Sequence, residues 1–342
     1  MPANPAGATD RRPVLLYLYP RWTTFIQRDL DLLAPHYDLR AHELRVDPPW
    51  MLPWRLLLQF IWLLRNRAGR HVALCHFSGY HAVIPVLMAR RSAIILAGTD
   101  CAAIPWIHYG NHVRQPLGWA TRFAARRATQ LLPVHEGLIL REQRYDPQAP
   151  TAQGIAAFTP SLRTPHTTIP YGFDAQQWRA DPAVARQADL FVSIVGPAAP
   201  GNRVHYLKGV DMIIAAAKQK AAAKFQVIGV TDPVAYAAAP ANVEFIARRK
   251  PEELPALLSA ATFYLQLSLS EGFPNALCEA MLCGCIPIVS DVSSMPGIVA
   301  DKGLVVKHRR VDDVVAVLEQ ALLIGATGRD QRSTEARVRI VD

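Results

Sequence analysis

Along this chain short apolar runs alternate with longer stretches in which apolar residues recur every three or four positions. The runs at 14–19, 72–75, 93–97 and 130–134 read as strands buried on both faces, the pattern of a parallel sheet. Between them, 25–33, 82–89 and 117–128 carry helical spacing. A polar, Ala/Arg-rich stretch at 175–189 interrupts the rhythm, which then resumes. Strands are expected at 190–195, 225–229, 243–246, 261–267 and 286–289, and helices at 212–217, 251–260 and 311–323, with one more framed by Pro274 and Gly284. Alternating strand and helix on both sides of a linker predicts an α/β protein of two doubly wound, Rossmann-like domains. The expected division is a lead-in at 1–12, a first domain at 13–174, a linker at 175–189 and a second domain at 190–342. A chain of 342 residues exceeds the ~250–300 at which a single core stops growing, which agrees with two domains.

The strand at 261–267 ends in small polar residues, Ser268 to Ser270, so a turn follows it. Glu271 lies in that turn. Glu279 lies four residues after Asn275 and shares its helix face, whereas Leu277, Ala280 and Met281 form the stripe that packs on the sheet. Both carboxylates therefore face one crevice at the carboxyl edge of the sheet, where open α/β folds bind ligands and a helix N-terminus offers N–H groups to an anion. Gly98-Thr99-Asp100 follows another strand at the same kind of edge. Arg203 and Lys208 flank a strand-to-helix turn beside Gly209, and two cations there suit a diphosphate: Arg can bind two oxygens, and Lys acts as a point charge. The loop Gly196 to Gly201 lacks the glycine spacing of a dinucleotide site.

The stretch Ser268-Leu-Ser-Glu-Gly-Phe-Pro-Asn-Ala-Leu-Cys-Glu-Ala-Met-Leu-Cys-Gly-Cys-Ile-Pro-Ile-Val289 resembles the hallmark E-x7-E segment of the family 4 retaining nucleotide-sugar glycosyltransferases. Arg203-x4-Lys208-Gly209-x-Asp211 and Ile169-Pro-Tyr-Gly-Phe-Asp174 resemble further segments of that family. The resemblance runs from about residue 14 to 323 and is strongest after 190. It implies the GT-B architecture, with the acceptor on the first domain and the nucleotide sugar on the second. It also implies that Glu271 meets the donor sugar's hydroxyls, that Glu279 holds the ribose, and that Gly272, Phe273, Pro274, Asn275 and Gly209 line the donor site. Arg203, Lys208 and Asp100 join Glu271 as the expected catalytic set. The donor is expected to be a UDP- or GDP-sugar and the acceptor a glycan, a lipid-linked or a small molecule, with no cofactor and no metal. Pro20 to Thr24 lacks the family's glycine-rich loop, Ala97 stands where many members have His, and Tyr171 stands in place of Asn. The absent imidazole's task falls to His76, His108 or His135, or to no residue at all. Family members usually end on a helix that crosses back to the first domain; here the last residues are polar, so the crossing is short or the chain is truncated. A sugar-nucleotide epimerase and a catalytically silent binding subunit are the rival functions.

Composition changes this picture little. With 37 Lys+Arg against 28 Asp+Glu the net charge is +9, which favours anionic partners, and no nucleic-acid motif is present. Five scattered cysteines, Cys75, Cys101, Cys278, Cys283 and Cys285, read as small core residues in a reducing compartment. The first dozen residues lack the apolar segment of a signal peptide, so a cytoplasmic protein is expected. Asp29-Leu30-Asp31 imitates a metal-binding D-x-D, but residues two apart on a helix diverge. The most lipophilic stretch, 53–64, is too short to span a bilayer. Its pattern favours a helix packed in the first core; the other reading seats it on an anionic membrane through Trp54, Phe60 and Trp62 beside Arg65 and Arg67.

Overall fold

The computed structural model describes residues 12–66 and 71–341. The expected lead-in, apart from Arg12, and the basic Arg67 lie outside them. The first sheet contains β1 (Val14–Tyr19), β2 (Asp38–Glu43), β3 (Val72–His76), β4 (Arg91–Leu96) and β5 (Gln130–Pro133), ordered β2-β1-β3-β4-β5 with every pair parallel. Four helices connect them: α1 (Thr24–Leu33), α2 (Leu52–Asn66), α3 (Tyr80–Met88) and α4 (Leu117–Arg127). Leu16, Leu18, Ile94 and Leu96 are fully buried between the sheet and these helices. The strand order reverses between β1 and β3, which opens a crevice at their carboxyl ends. The edge strand β2 escapes the hydrophobic pattern because its sequence, DLRAHE, is only partly covered.

Helix α2 reverses the expectation of a core helix. Its polar Gln59 is fully buried and donates to the carbonyl of His81 at 3.0 Å, and Leu63 is buried beside it. Trp54 is 56% exposed, and Leu57, Leu58, Phe60 and Leu64 are exposed as well. One hydrogen-bonding position therefore sets the rotation of the helix, and most of its apolar surface faces outward. Among the described residues no helix is long and apolar enough to cross a membrane.

After a two-residue antiparallel pair, β6 (Arg141–Glu142) with β7 (Ala152–Gln153), and the short α5 (Ile155–Phe158), the second sheet begins. It comprises β8 (Gln187–Ala198), β9 (Lys224–Val230), β10 (Val243–Ala247), β11 (Ala261–Gln266), β12 (Ile286–Ser290) and β13 (Leu304–Val306), ordered β10-β9-β8-β11-β12-β13. Renumbered from its own first strand this is 3-2-1-4-5-6, the order of dinucleotide-binding folds, with its switch point between β8 and β11. The helices are α6 (Arg203–Leu207), α7 (Val210–Gln219), α8 (Leu254–Ala260), α9 (Asn275–Leu282), α10 (Met295–Val299), α11 (Val311–Leu322) and α12 (Ala326–Val341). Phe191 of β8 stacks between Phe225 and Phe263, with ring centroids 5.3 and 4.7 Å away, and this stack anchors the core. All five cysteines are buried and unpaired.

Two sequence expectations change here. Strand β8 starts at Gln187, inside the stretch expected to be linker, because Arg186 and Gln187 already bond to Ala261 and Thr262 at the start of the neighbouring strand β11. The polar tail forms the 16-residue helix α12. Its hold is mostly polar: Arg337 donates to the carbonyls of Trp178 at 3.0 Å and Ala175 at 2.9 Å, whereas only Ala336 is buried.

Candidate active site between the two sheets

The carboxyl ends of the two sheets meet. Gly272 has no room for a side chain, since a Cβ there would lie 1.9 Å from the carbonyl oxygen of Ala97. Gly98, at φ +125°, would place a Cβ 2.8 Å from the amide nitrogen of Gly272. The loop after β4 and the loop after β11 thus touch backbone to backbone, a contact that only glycine permits.

Within the second half, the turn after β8 runs through α6, whose first residue is Arg203 and whose cap is Lys208. The Asn202 side chain accepts from the amide of His205 at 2.8 Å and fixes the start of that turn. Gly209 follows with φ +70°, and a Cβ on it would lie 2.2 Å from the carbonyl oxygen of Leu267. This close approach seats Lys208 beside the end of β11. Lys208 Nζ donates to Glu271 Oε1 at 2.5 Å, 63 residues along the chain. The same oxygen accepts from Ser268 Oγ at 2.7 Å and from Gln266 Nε2 at 2.9 Å. The pair is only 25% and 12% exposed, so removing either partner leaves a desolvated charge. The backbone N–H of Glu271 donates to Ser293 Oγ at 3.2 Å, and Arg141 from the first half grips that segment through the Ser293 carbonyl and, at 2.8 Å, Asp291.

Glu279 lies on α9, half-buried. Burial raises its pKa to about 7, and Arg28 on α1 of the first half pulls it back down. Phe273, between the two glutamates, stacks on Phe173 with centroids 6.1 Å apart and meets Tyr171 edge-on at 5.9 Å. Pro274 occupies the N-cap of α9, and Asn275 begins the helix with a buried amide oxygen that has no partner among the described residues. Arg203 is exposed and reaches across to the carbonyl of His108 at 3.5 Å.

Asp100 departs from its expected role in contact with substrate. It is fully buried, and its carboxylate accepts from the amides of Ser78 at 2.8 Å, Gly98 at 3.1 Å and Ala97 at 3.2 Å. Burial raises its pKa against the pull of those N–H groups. It is a positioning residue that shapes the loop resting on Gly272. Among the described residues none of the three histidine candidates bonds to Lys208 or Glu271. His76 is fully buried against Asp29 at 2.9 Å and Tyr17 at 3.0 Å. His135 Nδ1 accepts from the amide of Gly137 at 3.0 Å, and His108 is exposed. Asp29 and Asp31 diverge as expected: Asp29 faces His76, and Asp31 accepts from Gln27 at 2.7 Å.

Two residues of the site went unmarked in the sequence. Tyr109 places its hydroxyl 3.2 Å from Thr99 Oγ1 and within electrostatic reach of Glu271 and Arg203. Arg28 is the cation nearest in effect to Glu279. Neither carries a spacing signal, because Tyr109 lies in irregular chain and Arg28 reads as one more charge on an exposed helix face.

Residues 201–338 match the family described as Glycosyl transferases group 1. Over most of its length the chain has the fold of several solved structures, at identities that carry the fold alone. Sucrose-phosphate synthase from Thermosynechococcus elongatus is 14% identical at a TM-score of 0.72, covering 96% of this chain and 94% of that one. Anabaena HepE in complex with UDP is 14% identical at 0.67, with 96% and 95% covered. A trehalose-6-phosphate structure from E. coli bound with UDP-2-fluoro glucose is 11% identical at 0.65, with the same coverage. The chain thus has the GT-B architecture, two Rossmann-like sheets around a cleft, and the likeness to the glycosyl transferases group 1 model falls in its second half. A shorter match, 41% identical over 71 residues, is to the O-antigen chain mannosyltransferase B of Escherichia coli; it covers 21% of this chain and 19% of that protein.

Proposed function

We propose that this protein is a glycosyltransferase that moves a sugar from a UDP- or GDP-sugar to a hydroxyl of a glycan, a lipid-linked or a small-molecule acceptor, with retention at the anomeric carbon and without a metal or cofactor. One observation carries the reading. At the switch point of the second sheet, Lys208 and Glu271 pair from two different strand ends, with Arg203 alongside and the N-terminus of α9 next to them. The donor is assigned to the second half, from β8 onward, and the acceptor to the first, up to residue 174, across the linker between them.

As the bond from the anomeric carbon to the diphosphate breaks, that carbon gains oxocarbenium character and negative charge grows on the departing oxygen. Arg203, Lys208 and the amides of Gly272 and Phe273 are the groups assigned to that charge, acting as preorganised donors. Glu271, oriented by Ser268 and Gln266, is assigned to the sugar, and Glu279 to the ribose hydroxyls. The neighbouring structures solved with UDP and with UDP-2-fluoro glucose support a nucleotide-sugar donor, and the mannosyltransferase match supports a glycan acceptor. The exposed apolar face of α2, beside Arg55 and Arg65, supports docking on an anionic membrane surface.

The test is to incubate the protein with UDP- and GDP-sugars and candidate acceptors, in EDTA, and analyse the products. A glycosylated acceptor with retained configuration is expected. An epimerised nucleotide sugar, or binding without turnover, would transfer the site to one of the rival functions, and activity that requires added Mg2+ or Mn2+ would overturn the metal-free mechanism.

A further inference from the structure

One segment of the first half, residues 104–110, lies directly on the donor side of the cleft. It closes on itself through paired backbone bonds between Ile104 and Tyr109, at 2.9 and 3.1 Å. Trp106 in this segment packs edge-on against Tyr206 of α6, centroids 5.6 Å apart, and Arg309 of the second half lies 5.1 Å over the Trp106 ring. Arg203, on the same short helix as Tyr206, reaches the carbonyl of His108. Tyr109, the next residue, turns its hydroxyl to Thr99 Oγ1 at 3.2 Å, and Thr99 follows the Gly98 that rests on Gly272. Two contacts between the halves therefore bracket these hydroxyls.

We propose that Tyr109, positioned by Thr99, is the first half's contact with the diphosphate of the nucleotide sugar: Thr99 donates to the Tyr109 oxygen, and Tyr109 donates its own proton to a phosphate oxygen that Arg203 and Lys208 hold from the other side. The inference rests on the donor reading above and extends it across the cleft. A tyrosine hydroxyl has one proton, and when Thr99 supplies the donor between the two, that proton is left for a ligand. Each bond of such a chain strengthens the next. Burial raises the phenol to about 12, the Thr99 bond lowers it and the charge of Glu271 raises it, so it remains a hydrogen-bond donor at neutral pH. Lys208 already spends one bond on Glu271, so a diphosphate gains from a donor with no acid of its own to satisfy. The consequence is selective. A nucleoside engages the second half alone, whereas a nucleoside diphosphate joins the two halves.

The experiment is calorimetry on the full chain and its Tyr109→Phe, Thr99→Val and Thr99→Ser variants, with UDP and GDP and with uridine and guanosine, alongside steady-state rates and a folding check by circular dichroism. Tyr109→Phe is expected to lower nucleoside diphosphate affinity and kcat/KM about 10-fold or more, the scale of a hydrogen bond to a charged group, and to leave nucleoside affinity unchanged. Thr99→Val is expected to lose part of the same affinity, and Thr99→Ser, which keeps the hydroxyl, to retain more of it than Thr99→Val. Undiminished diphosphate affinity and turnover in Tyr109→Phe overturns the inference and leaves the donor reading standing. Equal losses for nucleoside and diphosphate overturn it as well, since they report a disturbed fold. Failure of the unaltered protein to bind any nucleoside diphosphate overturns the donor reading and this inference together.

Discussion

Glu279→Gln separates what a residue costs the fold from what it gives the site. Glu279 is a half-buried acid on α9 whose pKa rises from 4.5 to about 7, chiefly because burial disfavours the carboxylate, with Arg28 only partly offsetting this. Below about pH 4.5 the group is protonated in both folded and unfolded chains and does not affect stability. Between there and pH 7 the unfolded chain releases its proton first, so the folded state binds more protons and stability falls as pH rises. Each pH unit is worth about 1.36 kcal/mol, which sets a ceiling of about 3 kcal/mol above pH 7. Residual contact with solvent lowers it to about 1–2 kcal/mol. Glutamine has no charge to desolvate, so the variant should match the parent near pH 4.5 and exceed it by about 1–2 kcal/mol at pH 8, read by denaturant unfolding at both values. The same variant should bind UDP or GDP more weakly by about 1–3 kcal/mol at pH 8, the worth of a charged hydrogen bond to the ribose. In the parent, nucleotide affinity should rise through pH 7 as the carboxylate ionises. An equal stability change at both pH values, or a less stable variant at pH 8, would refute the burial argument. Unchanged nucleotide affinity would refute the ribose contact.

The other substitutions act on the pair and the contact beside it. Glu271→Gln removes the charge that Lys208, Ser268 and Gln266 all address, and should depress kcat by roughly 100-fold while nucleotide affinity changes little, since the sugar's charge changes most on the way to the transition state; a loss confined to nucleotide binding would reverse the roles of the two glutamates. Lys208→Ala should raise the barrier by about 2–4 kcal/mol, read as kcat/KM on a folded variant, and an unchanged value would remove Lys208 from the site. Gly272→Ala drives a methyl into the Ala97 carbonyl and should cost about 1–3 kcal/mol, with turnover reduced as the two loops are pushed apart; wild-type unfolding and rates would show that the loops need not touch. Vesicles with anionic headgroups should sediment the protein at low salt and release it at high salt, and Trp54→Ser with Phe60→Ser should abolish this; equal supernatant recovery with and without vesicles would leave the face of α2 without a membrane role.

The hydrophobic rhythm by itself determined that strands and helices alternate twice around parallel sheets, because a strand covered on both faces must be apolar throughout and its crossover must be helical. It also placed Glu271 in the loop after β11 and Glu279 about one turn into the helix that follows, since that relation is local to the segment. What it left open depends on contacts between distant segments. The 63-residue separation of Lys208 and Glu271 closes only because the sheet order sets β8 beside β11 and Gly209 lets the turn approach. Helix α2 looked like a core helix because its composition is apolar; which face turns inward was decided by the carbonyl of His81 waiting for Gln59. Helix α12 was invisible because its hold comes from Arg337 reaching backbone carbonyls, and no periodicity records that. Asp100 has the residue type of a catalytic acid, but three backbone N–H groups converge on it, and only the folded loop could show that its carboxylate was already taken. Tyr109 had no signal at all: it enters the site because two sheets far apart in the chain meet at Gly98 and Gly272, and side chains that act across such a contact are chosen by the shape of the whole molecule.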